Sequence, residues 1–159
     1  MTKPTHPGSA HNNGNSAGRR LDMILESKVE SADLAETLIY EFAKQEYNET
    51  EHHAIQLAVR EAMANAVLHG NRFDHCKKVF LTVELCARDL KISIRDEGEG
   101  CEVEDVPDPL AEHNMLRESG RGMLLIRTCM DEVAWQKGPS GGTHLVMAKR
   151  RSHSNSAPK

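Results

Sequence analysis

"LKISIRDEGEG", Leu90–Gly100, alternates apolar and polar residues as far as Ile94 and then breaks into acidic residues spaced by glycines. Alternation of period two marks a half-buried strand. The break admits two readings. One is a surface turn, in which Gly supplies the backbone freedom a reversal needs. The other is a loop whose backbone passes close to a ligand. The stretch alone leaves both open, so the chain on either side has to decide.

Immediately upstream, "KKVFLTVEL" (Lys77–Leu85) is a second alternating run, and the short "CARD" connection makes it an antiparallel hairpin with Leu90–Asp96. Before that, Leu21–Ser27 reads as a first strand. A helix follows from Ser31 as N-cap, with Leu34, Leu38, Ile39 and Phe42 as its apolar stripe. "YNETE" then offers Asn48 or Thr50 as the cap of a long helix, Glu51 to His69, closed by Gly70 as a C-terminal stop. Downstream, the polar and acidic stretch Cys101–Ser119, with "VPDPL" inside it, has the length of a lid or binding loop. Met123–Met130 reads as a short helix after "SGRG". "DEVAWQ" and "THLVMAK" are two last strands joined by "KGPSGG". This order predicts an α+β fold: a two-layer sandwich with one mixed, mostly antiparallel sheet and helices on one face.

Both ends are Gly, Asn, Ser, His and Pro with almost no large apolar side chain. Such segments bury too little surface to offset the entropy of ordering. The folded domain is therefore expected over 21–150, with tails at 1–20 and 151–159. The chain has 159 residues and a net charge of −4, which leaves no broad basic surface for direct nucleic-acid binding. Hydrophobic residues make up 38% and aromatics only 4%, so the core must be aliphatic. Cys76, Cys86, Cys101 and Cys129 form no CxxC pair, and the nine histidines show no metal-ligand spacing. His52 and His53 read as a solvated helix start. No stretch has the apolar length of a membrane span, and the N-terminus lacks the apolar core of a signal peptide, so a cytoplasmic protein with reduced cysteines is expected.

The long helix carries the next signal. Ile55, Val59, Ala62, Met63 and Ala66 fall on one face at about 100° per residue. Glu61, Asn65 and His69, four apart, run along its flank. Asn is a poor mid-helix residue because its side chain competes for backbone groups, so Asn65 asks for a functional reason. A lone Glu61 suits a solvated surface, and His69 suits the last helical carbonyls. Gly120 and Gly122 precede the third helix, where free N–H groups and the positive end of the dipole favour an anion such as phosphate. Gly141 and Gly142 read alone as a hairpin turn.

Taken in order, these features resemble a known family. An Asn-bearing helix, a strand ending D-x-G-x-G, a lid ending G-x-G before a helix and a final G-G-T before a strand are similar to the Bergerat-type ATP-binding fold of gyrase, histidine kinases and their relatives. The wording "REAMANAVLHGN", "IRDEGEG", "VPDPL", "ESGRGMLLIRTCMDEV" and "GGTHLVMAKR" resembles, more narrowly, the anti-sigma factor serine/threonine kinases of bacteria. The resemblance spans about Leu21 to Arg150.

The resemblance implies roles. Asn65 contributes its amide oxygen to Mg²⁺, a donor that suits a hard cation held mainly by phosphates and water. Asp96 accepts a hydrogen bond from the adenine amino group of ATP. Gly98 and Gly100 let the backbone approach the base, and Glu97 and Glu99 are solvated. Gly120 and Gly122 close over the phosphates, Thr143 helps hold adenine, and His69 and Arg121 complete the nucleotide-binding set. Glu61 is the candidate catalytic base, since phosphoryl transfer needs mostly positioning and charge neutralisation. The implied partners are an anti-sigma factor antagonist as phosphoacceptor, an RNA polymerase sigma factor and a second copy of the chain. One departure stands out. Sporulation-type relatives place an arginine directly before "SG" in the lid, where this chain has Glu118, flanked by Arg117 and Arg121 as alternatives. An ATP-dependent binding protein with little kinase activity is thus the competing expectation. A histidine-kinase half is disfavoured because no dimerising hairpin with an acceptor His is present.

Overall fold

The alternation read in Leu90–Ile94 is an alternation of burial: Leu90, Ile92 and Ile94 are 0 to 2% exposed while Lys91 faces solvent. The computed structural model describes residues 18–99 and 118–152. Their elements are β1 (Arg19–Glu26), α1 (Glu30–Ala43), α2 (Glu49–Ala64), a π-helical turn (Asn65–Gly70), β2 (Lys78–Leu85), β3 (Asp89–Arg95), α3 (Glu118–Cys129), β4 (Glu132–Lys137) and β5 (Thr143–Arg150). The five strands form one sheet in the order β1-β2-β3-β5-β4, and each neighbouring pair is antiparallel.

Register follows from the period-two pattern. Leu81 lies opposite Ile94 and Val83 opposite Ile92, and Ile92 in turn lies opposite Met147. One face of the sheet is therefore continuously aliphatic. The helices cover that face with Ile39, Ile55, Val59, Met63 and Ile126, none more than 2% exposed. This is the two-layer α+β sandwich expected, with an aliphatic core. Among the described residues, no helix is long and apolar enough to cross a membrane.

Asn48, one of the two cap candidates, closes a full capping box: its side chain accepts from the Glu51 amide and Glu51 accepts from the Asn48 amide. Other local expectations change. Ser31 does not cap α1; its hydroxyl donates to the Glu26 carbonyl at 2.8 Å. The buried stripe of α1 is Ala32, Ala35, Ile39 and Ala43, while Leu34 is 46% exposed. Small residues let α1 and α2 approach closely, so selecting positions by bulk misplaces the face. The helix pair is also joined at its rim, where Arg60 reaches both carboxylate oxygens of Glu36. His52 is buried rather than solvated: Tyr40 and Tyr47 flank its ring, and Nε2 lies 3.2 Å from the Lys44 carbonyl.

Candidate nucleotide site

Asp96 follows the last residue of β3 and is only 4% exposed. Its Oδ1 accepts two backbone N–H groups, from Gly98 at 2.9 Å and from Thr143 at 3.0 Å. Its own amide donates to the Thr143 carbonyl at 3.1 Å, which continues the β3–β5 ladder by one residue. Burial pushes the Asp96 carboxyl above its ordinary value, against the pull of the two N–H donors. A carboxylate so placed is not surface punctuation. The structure invests desolvation in keeping it there.

Glycines surround this carboxylate because nothing larger fits. A Cβ on Gly70 would lie 2.2 Å from Asp96 Oδ2, one on Gly98 would lie 2.2 Å from the Gly70 carbonyl oxygen, and one on Gly142 would lie 2.1 Å from the Asp96 carbonyl oxygen. Gly142 also has φ +75°, a left-handed conformation. Thus the end of the long helix, the loop after β3 and the β4–β5 hairpin converge on Asp96. Gly70 ends the helix, as its place in the sequence predicts, without a positive φ; close approach to Asp96 is what excludes a side chain. The β4–β5 turn, a hairpin when read alone, is one wall of the site.

The helix end departs from plain α geometry. After Ala64 the chain widens into the π-helical turn, where the Asn71 amide reaches back to the Ala66 carbonyl at 2.8 Å. Such π-segments often mark functional sites. Asn65 sits at the junction, half-buried. His69, within the same π-helical turn, is exposed. Just beyond, Arg72 and Phe73 both take left-handed conformations, with φ 51° and 57°.

Glu61 faces the third helix. A Cβ on Gly122 would lie 2.2 Å from Glu61 Oε1, so the glycine makes room for the carboxylate. Gly120 and Gly122 lie inside α3 rather than ahead of it. In an α-helix starting at Glu118, the Gly122 amide bonds the carbonyl four residues back, so its spacing role is the one visible here. Arg121 is exposed on the same helix. Gly100 and Arg117, and the arrangement of the Glu118 side chain, lie outside the described residues, as does Cys101–Arg117 of the expected lid.

Asn71 was missed by sequence reading, although it ends the quoted "HGN". It is 1% exposed. Its Nδ2 donates to Ser27 Oγ at 2.6 Å and to the Lys78 carbonyl at 2.9 Å, and its Oδ1 accepts the Glu97 amide at 2.8 Å. Glu97, expected to be a solvated bystander, accepts the Lys78 amide at 2.6 Å. Glu99 is exposed, 3.9 Å from Arg72.

The donor set fits a nucleotide better than a metal bound by protein alone. Among the described residues, no group of three His, Cys, Asp or Glu could hold a metal ion. The Asn65 side chain carries a neutral amide oxygen, a donor type adequate for a hard cation only where phosphates carry most of the coordination. The glycines let three backbone segments close in around Asp96.

Comparison with known proteins agrees with this fold. Residues 25–149 match the family model described as histidine kinase-like ATPase domain. The chain is 33% identical to the anti-sigma F factor of Clostridium perfringens strain SM101 over 98 residues, covering 60% of this chain and 70% of that one. It is 34% identical to the anti-sigma F factor of Bacillus subtilis over 103 residues, covering 63% and 70%. With that of Clostridium novyi the identity is 29% over 139 residues, covering 84% and 96%. The catalytic domain of the histidine kinase ThkA superimposes with a TM-score of 0.50 at 10% identity, over 82% of this chain and 97% of that one.

Proposed function

The chain belongs to the histidine kinase-like ATPase domain family, and on that premise we propose that it is an ATP-binding anti-sigma factor that acts by partner switching and phosphorylates a serine or threonine of an anti-sigma factor antagonist. The observation that carries the proposal is the Asp96 cradle: a buried carboxylate, held by two backbone N–H groups and walled by glycines from three segments.

In this reading Asp96 accepts the adenine amino group, and Thr143 helps orient the base. Gly98 and Gly100 leave it room. Gly120 and Arg121 serve the phosphates, with His69 at the mouth, while Gly122 leaves room for the Glu61 carboxylate. Asn65 supplies an oxygen to Mg²⁺, which together with the bound phosphates neutralises developing charge. Glu61 takes the proton of the acceptor hydroxyl. A desolvated carboxylate at Asp96 discriminates well, because a base without a donor there leaves a buried acceptor unpaired.

The partners in this reading are a sigma factor, its antagonist and a second copy of the chain. The relatives are named anti-sigma F factors, which supports the first two. Free thiols at Cys76, Cys86 and Cys129 suit a reducing compartment such as the cytoplasm. A second reading, an ATP-dependent binding protein with little kinase activity, is favoured by Glu118 at the lid position where an arginine is expected.

Transfer of label from [γ-³²P]ATP to the antagonist separates the two. The kinase reading expects labelling by wild type and its loss in Glu61→Ala. Tight ATP binding without any transfer by wild type overturns the kinase reading in favour of the second.

A further inference from the structure

We infer that Asn71 is a positioning residue for the nucleotide site, locking the Asp96 loop to the helix end that carries Asn65. The inference rests on the reading of Asp96 as the adenine acceptor. Three observations converge on it. First, Asn71 uses both of its donors and its acceptor oxygen while almost fully buried: it donates to Ser27 Oγ and the Lys78 carbonyl and accepts from the Glu97 amide. Only a planar amide of this length offers two donors and an acceptor at one point. Second, the clamp is closed from the other side. Lys78 donates its amide to Glu97 Oε2, so Asn71 and Lys78 grip both the main chain and the side chain of the residue next to Asp96. Third, the Asn71 amide makes the five-residue-back bond to Ala66 that defines the π-helical turn beginning at Asn65. One residue therefore joins the segment assigned to the metal and the segment assigned to the base.

Asn71 itself touches no assigned ligand position. Its effect runs through the placement of Asp96, and so it should appear in base discrimination rather than in phosphate binding. The test compares ATP with purine riboside triphosphate, which lacks only the 6-amino group, by calorimetric titration with Mg²⁺. Wild type is expected to prefer ATP by roughly tenfold or more, the worth of one hydrogen bond to a charged acceptor. Asn71→Ala is expected to lose most of that preference while affinity for purine riboside triphosphate stays close to that of wild type. Glu97→Ala removes the other half of the clamp from an exposed side chain, and it decides the matter if Asn71→Ala fails to fold. Ile39→Val, a remote core change, is destabilised without losing the preference. Folded clamp variants that keep the full wild-type preference overturn the inference. No ATP binding by wild type overturns the nucleotide reading beneath it.

Discussion

Gly70 and Asp96 touch so closely that a methyl group on the glycine would sit 2.2 Å from the carboxylate oxygen Oδ2. They are 26 residues apart and belong to different layers of the sandwich. Their contact binds the end of the long helix to the end of β3. Gly70→Ala should therefore displace a carboxylate that is held by two N–H groups and cannot swing freely. Thermal unfolding should register a loss of about 1–3 kcal/mol, typical of overpacking, together with a clear drop in ATP affinity.

The hairpin glycines should differ from one another. At Gly142 the left-handed φ of +75° combines with a backbone oxygen 2.1 Å from the Cβ position, whereas at Gly141 the φ is +91° and the nearest atom is 3.5 Å away. Both Ala variants should unfold more readily. Gly142→Ala should cost the more, by about 1–3 kcal/mol beyond Gly141→Ala, since overpacking adds to the shared conformational strain. Equal costs in paired melts would contradict this.

Gly122→Ala should behave in the opposite manner. The obstructing atoms belong to the far end of the Glu61 side chain, which can rotate away. Alanine also gains about 1 kcal/mol of helix propensity over glycine. Stability should stay near wild type and ATP affinity should hold. Antagonist phosphorylation should fall roughly tenfold or more, the scale on which a positioned base contributes. A Gly122→Ala protein that phosphorylates at the wild-type rate would detach Glu61 from catalysis.

The Asp96 carboxyl should make stability depend on pH. Its pKa is raised in the folded protein, chiefly by burial. Its stabilising contribution is therefore complete below the unfolded carboxylate pKa of about 3.9 and is lost as pH rises through the folded value. Asp96→Asn can keep Oδ1 as acceptor for Gly98 and Thr143 without the buried charge. Denaturant melts should show wild type losing ground to Asp96→Asn as pH rises from the ordinary carboxylate range, with the difference levelling off above the folded pKa.

Much of this molecule is legible from its chain, and for physical reasons. Period-two runs such as Leu90–Ile94 and Val79–Leu85 fix strand, face and register together, because a one-residue slip would expose Leu81, Val83 and Ile92 at once. The stripe Ile55, Val59, Ala62, Met63 is likewise buried as its spacing requires. What the chain hides is contact between distant segments. Glycine at 70 or 142 looks like a turn signal, since nothing local announces that a carboxylate approaches it. Asn71 looks like one more polar residue in a loop until Ser27, Lys78 and Glu97 arrive around it. In α1 the error was of another kind: Ala32, Ala35 and Ala43 pack more closely than Leu34, so small residues rather than bulky ones mark the buried face.

The most direct test of the central claim is calorimetric titration of Mg-ATP into wild type and Asp96→Asn, with a thermal melt of each. The substitution keeps the shape of the site but offers the adenine amino group a donor where it needs an acceptor. Losing a hydrogen bond to a charged group should weaken ATP binding roughly ten- to a hundredfold, while Asp96→Asn melts at or above the wild-type temperature at neutral pH. Wild-type ATP affinity in a well-folded Asp96→Asn protein would contradict the account.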